Sequence, residues 1–247
     1  MKQFLLCYLL INFATIQAQL IPAPASFKSI KDGGKGGKPI MDFVIKDILR
    51  HGQAEYTGNT IGSPYTTETF IAAQIYYDGL KDNYYVRYNA LNDEMELKQT
   101  TLPEEKIKAL IADEDIEIRV GNNTMRYITY KDKKESAQRG YFYVLVSGEN
   151  HNLYRRQRVK YTKGRPATNS MVQPTPNRFA HFAKYYYTTP NNKDVQELEL
   201  GKRKFLNLMP TEIRNKVFDF ITEKSIDLKN EKDLIKVFEF IKLYNKN

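Results

Sequence analysis

The side chains of this chain that could do chemistry are few and scattered. Histidine, the commonest general base and zinc ligand, occurs at His51, His151 and His181. None shares the short spacing that sets paired ligands on one helical face, as in His-Glu-x-x-His. The densest acidic cluster is Asp113-Glu114-Asp115 with Glu117. It lacks the glycine turn and alternating oxygen ligands of a calcium loop, and reads as a solvated turn before a strand. Glu94 and Glu96 invite a carboxylate-pair reading, but they share a strand face with Lys98, the pattern of the wet side of a sheet. A Gly-x-Ser-x-Gly elbow is missing. The glycine run from Asp32 to Pro39 lacks the Gly-Lys-Ser/Thr ending of a phosphate loop. No catalytic residue, metal site or cofactor is expected.

One strand stands out. Alternation along Leu153–Tyr161 sets Tyr154, Arg156, Arg158 and Lys160 on one face and Leu153, Arg155, Gln157, Val159 and Tyr161 on the other. Like charges in a row repel, so the first face is expected to be solvated or to hold an anionic ligand. Arginine can fork onto phosphate or carboxylate oxygens, with tyrosine stacking beside it. An edge strand guarded by its charges is the structural alternative.

The elements that must position these residues begin with an export signal. Lys2, the apolar run Phe4–Phe13, and the small residues Ala14 and Ala18 have the tripartite pattern of a signal peptide, with cleavage expected after Ala18. Cys7, the only cysteine, falls inside that segment. The mature chain then has no thiol, disulfide or sulfur-ligated metal, and must rely on its core. The expected location is the periplasm, the cell surface or the medium. The formal net charge of +9 would suggest nucleic acid inside a cell. Outside it, the same charge points to lipid headgroups, lipopolysaccharide or acidic polysaccharide. No second apolar stretch is long enough to be a transmembrane helix.

Residues 19–61 read as an irregular segment or linker, with Pro22, Pro24 and a glycine-rich run. Residues 62–192 read as an antiparallel β domain. Its strands are expected at Phe70–Tyr76, Tyr84–Ala90, Glu94–Gln99, Ile116–Val120, Met125–Tyr130, Tyr141–Val146 and Leu153–Tyr161, with Asp78-Gly79 as a turn. Arg178–Tyr187 is expected to join or cover the sheet. The 18 tyrosines and 13 phenylalanines suit such a fold. Residues 193–247 read as a helical hairpin. Pro210 opens one helix, and Asn230 caps another that carries Leu234, Val237, Phe238, Ile241 and Tyr244 on one face. The fold class is mainly β, a sandwich or partly closed barrel, with a C-terminal helical hairpin, and α+β overall.

Gly62-Ser63-Pro64-Tyr65, Phe70, Val86-Arg87-Tyr88-Asn89, Asp93-Glu94-Met95-Glu96 and Gly140-Tyr141-Phe142 together resemble a family of exported Bacteroidota proteins without an assigned activity. So do Glu231-Lys232-Asp233-Leu234 and Leu243-Tyr244-Asn245. The resemblance implies export and this architecture, and brings no catalytic residue. The expected function is therefore non-enzymatic binding or scaffolding in the envelope through a basic, Tyr-rich sheet surface. A lipocalin-like carrier or sensor of amphiphiles is the alternative, and a hydrolase with a dispersed site the weakest reading.

Overall fold

The computed structural model describes residues 44–47, 59–132, 135–149, 151–190 and 192–244. The expected signal peptide, the glycine-rich run and His51 lie outside the described residues. Twelve strands form one mixed sheet: β1 Ile45–Asp47, β2 Thr60–Ile61, β3 Ile71–Tyr77, β4 Leu80–Asn89, β5 Glu94–Lys98, β6 Lys108–Leu110, β7 Glu117–Val120, β8 Asn123–Lys131, β9 Ala137–Val146, β10 Asn152–Thr162, β11 Asn177–Thr189 and β12 Asn192–Glu197. Three helices follow: α1 Lys202–Asn207, α2 Thr211–Glu223 and α3 Glu231–Tyr244. The protein is mainly β with a helical C-terminal part, α+β overall.

The sheet has two parts. Strands β1, β6, β5, β4, β3 and β7 run side by side as an open antiparallel sheet that joins β8. From there β8, β9, β10, β11 and β12 each pair with the next, and β12 returns to β8. They form a closed ring of five strands. An odd number of strands cannot alternate direction all the way round, so one seam must be parallel. That seam is β12 on β8, with Val195 opposite Tyr130.

Local sequence explains much of this. The β3–β4 hairpin turns at Asp78 and Gly79, both with positive φ (48° and 73°), the backbone that a two-residue turn needs to match strand twist. Alternation puts Val86, Tyr88, Met95, Leu97, Ile118 and Met125 into one core on one face of the open sheet. The far half of the β10–β11 ribbon closes over that core with Val159 and Phe179, and Val159 N donates to Ala90 O at 3.2 Å.

The opposite face is also covered. Glu96 is only 3% exposed and Lys98 is buried, so this is not the wet side that the Glu/Lys alternation suggests. The stretch from Gly62 to Phe70 lies over it. The Arg87 guanidinium donates to Glu96 Oε2 at 2.6 Å and sits 3.7 Å from the Tyr65 ring centre and 4.4 Å from that of Phe70. Burial of a charge is tolerable here because the charge is paired and flanked by aromatic faces.

The helices pack on the outside of the ring. Phe205, Ile213, Val217, Ile221, Leu234, Val237, Phe238 and Ile241 make a core with Val146, Leu153, Tyr187 and Leu198. Pro210 precedes α2. The Asn230 carboxamide accepts from Lys232 N at 2.9 Å at the start of α3. Asp233 does not close a reciprocal box, since its carboxylate accepts from Asp227 N at 3.2 Å. Among the described residues no helix is long and apolar enough to cross a membrane.

Candidate functional site

Tyr154, Arg156, Arg158 and Lys160 do share one face of β10, in register with Tyr186, Lys184, Phe182 and Ala180 of β11. For Tyr154 and Arg156 that face points into the ring. Aromatic and aliphatic side chains fill the interior: Tyr130, Phe142, Tyr186 and Val195 cluster there, with Tyr154 and Ile128 against them. Phe142 meets Tyr186 edge to face at 5.0 Å and Tyr154 at 6.3 Å.

The arginines of this face are spoken for. Arg156 Nη2 lies 2.6 Å from Asp93 Oδ2, while its other nitrogen donates to Tyr130 Oη and its plane stacks 4.6 Å from the Tyr130 ring centre. Arg158 Nη1 stands 3.3 Å from the same Asp93 oxygen, and its Nη2 donates to Leu91 O at 3.2 Å. Asp93 also accepts from Tyr88 Oη at 2.6 Å and Tyr141 N at 3.2 Å. It reaches these partners from a turn in the left-handed region (φ 59°), which Asp tolerates better than most side chains. Arg156 and Arg158 are tolerated side by side here because the Asp93 carboxylate, from another strand pair, stands between them. Of the four residues only Lys160 is exposed. The fourth, Tyr154, borders a cleft.

That cleft, about 600 Å³ in volume, opens at the mouth of the ring. Thr124, Val144 and Tyr154 are cross-strand neighbours on β8, β9 and β10 and line its wall. Arg126, one step along β8, lies opposite Glu117 of β7. Glu114, Ser147 and Asn152 complete the polar rim. Arg126 is exposed, and among the described residues its guanidinium has no hydrogen bond or ion pair. The Tyr154 hydroxyl likewise has no partner among the described residues. Burial holds that phenol above its ordinary pKa, while the nearby Arg126 charge pulls the other way. Glu117 is bound to Arg119 at 2.6 Å, and Glu114 accepts from Thr129. The cleft therefore offers an uncommitted cation and a phenol donor beside two carboxylates with one oxygen each in use.

Sequence reasoning did not single out Arg126. The signal was present as a charge on the face that alternation gives to Ile128 and Tyr130, but it becomes visible only when that face turns into a ring. The remaining chemistry-bearing residues stay apart. His151 is buried, and burial lowers its pKa. His181 is exposed on β11, with Nε2 2.8 Å from Ser63 O. Asp113 forms a turn, its carboxylate accepting from Asp115 N at 2.9 Å. Among the described residues no group of three potential ligands could hold a metal ion.

Comparison with known protein families, curated proteins and solved structures finds no match for this chain.

Proposed function

We propose that this is an exported, non-enzymatic protein of the bacterial cell envelope that binds anionic envelope components at the mouth of its five-stranded ring. The observation that carries this reading is Arg126, unpartnered among the described residues, beside Tyr154 in an open cleft, while Arg119, Arg156 and Arg158 are paired with carboxylates of the chain. A cation left free among paired ones is the place where an incoming anion gains most, since no internal partner must be displaced. Tyr154 remains a binding residue. Arg156 and Arg158 act through Asp93 as positioning residues, and Lys160 adds a long-range positive field on the same strand. Export rests on the Lys2–Ala18 pattern and on the resemblance to exported Bacteroidota proteins.

Retention of the purified protein on immobilised lipopolysaccharide, acidic polysaccharide and anionic vesicles tests the reading. Retention should fall as salt rises and be lost in Arg126→Glu, with an unchanged melting curve. Retention that ignores both salt and Arg126→Glu overturns it. Export is checked separately by N-terminal sequencing. A mature chain beginning at Gln19 supports it, and an intact precursor in the cytosol removes it.

A further inference from the structure

Resting on that reading, we infer that the cleft is a saccharide subsite and that its ligand is a carboxylated sugar chain, one carboxylate per bound unit. The charge pattern of the lining narrows the ligand. Arg126 supplies one cation with no hydrogen bond or ion pair among the described residues, but Glu114 and Glu117 stand in the same lining. A doubly charged phosphate monoester would gain at Arg126 and be repelled by both carboxylates. A monoanion carries half that charge and is repelled less, and hydroxyl donors over the rest of its surface offset what repulsion remains. Its carboxylate forks onto Arg126, and its hydroxyls donate to the carboxylate oxygens that Arg119 and Thr129 leave uncommitted.

Tyr154 supports the same ligand. Its ring is fixed from behind by Phe142 at 6.3 Å, so it offers a rigid donor and an apolar edge at low entropic cost. Thr124 and Ser147 add short hydroxyls beside it. At about 600 Å³ the cleft falls in the size range of small-ligand sites. Its lining is largely polar, which gives an acyl chain little to pack against. A lipid headgroup is therefore the less favoured anion.

The test is calorimetric titration of the purified full chain with four probes: an oligogalacturonate, the same oligosaccharide with its carboxylates reduced to alcohols, inorganic phosphate, and phosphatidylglycerol vesicles. The oligogalacturonate is expected to bind, and its neutral counterpart at least about tenfold more weakly. Arg126→Gln should cost about tenfold for the oligogalacturonate. Glu114→Gln separates the ligands by sign. It weakens the carboxylate-reduced oligosaccharide, whose hydroxyls donate to this carboxylate, and strengthens phosphate, which it repels. Melting curves of the variants confirm the fold, since Arg126 is exposed. Arg126-dependent binding of phosphate or vesicles without oligogalacturonate binding overturns the saccharide assignment and leaves the anion-binding reading standing. Binding of none of the anionic probes, or binding indifferent to Arg126, overturns both.

Discussion

Asp93 and Arg156 lie 63 residues apart in the chain and 2.6 Å apart in the structure. They join the β4–β5 turn of the open sheet to the inner face of the ring. Their side chains are 14% and 11% exposed, so the pair is largely removed from water, and Arg158 shares the same carboxylate. Removing one partner leaves charge buried without compensation. Asp93→Ala should therefore cost about 3–5 kcal/mol, read as a lowered urea midpoint.

Gly140 makes room for that pair. A Cβ placed there would stand 2.5 Å from Arg156 Nη2 and 2.6 Å from Asp93 Oδ2. The guanidinium is the flexible partner, so it yields first and the ion pair opens. Gly140→Ala is expected to lose about 1–3 kcal/mol. Because both changes break one contact, the double variant with Asp93→Ala should cost less than the sum of the singles. An additive double-mutant cycle would show that Gly140 acts elsewhere.

Tyr88 and Tyr141 make opposite predictions from the same chemistry. Tyr88 donates to Asp93 at 2.6 Å, whereas the buried Tyr141 hydroxyl has no hydrogen-bond partner among the described residues. Burial raises both phenols far above their ordinary pKa, with the Asp93 charge adding to it. Tyr88→Phe should lose about 1–2 kcal/mol. Tyr141→Phe keeps its edge-to-face contacts with Tyr88 and Tyr127 at 5.8 and 5.0 Å. It should be neutral or gain up to about 1 kcal/mol in the same unfolding experiment.

Alkaline stability should fail in a defined window. Burial pushes Tyr185 up to about 12, with the Glu231 carboxylate that it bonds adding to the rise. Burial, followed by Tyr130 and Glu197, takes Tyr186 to about 12 as well. A group with a raised folded-state pKa holds its proton in the folded protein after the unfolded chain has released it. Its contribution is complete below pH 10 and disappears as pH climbs toward 12. Phenolate absorbance and circular dichroism followed together should show late-titrating tyrosines ionising as the fold is lost. In Tyr185→Phe the fall in stability over this range should be shallower.

The strands that alternate cleanly were legible in the sequence. So were the Asp78-Gly79 turn and the helices that begin after Pro210 and Asn230, because each is decided by neighbouring residues. The strands β1, β2, β6 and β12 were not read, since the first three have only two or three residues and β12 has Val195 as its one apolar side chain. Glu96 and Lys98 are a different case. Their pattern describes a wet face only until Tyr65 and Phe70 are laid across it. The alternation on β10 was legible, but whether that face meets water or Asp93 is a long-range fact. Two locks hold these faces: Tyr65, Phe70, Arg87 and Glu96 form one, and Tyr88, Asp93, Gly140 and Tyr141 the other.

The parallel seam between Tyr130 and Val195 sets an order of events for the nascent polypeptide. Until β12 has emerged, β8 to β11 form only an open curl, with Phe142 and Tyr186 uncovered along one flank. Local hairpins can form early, but the barrel waits for contacts distant in sequence, which makes its completion slow.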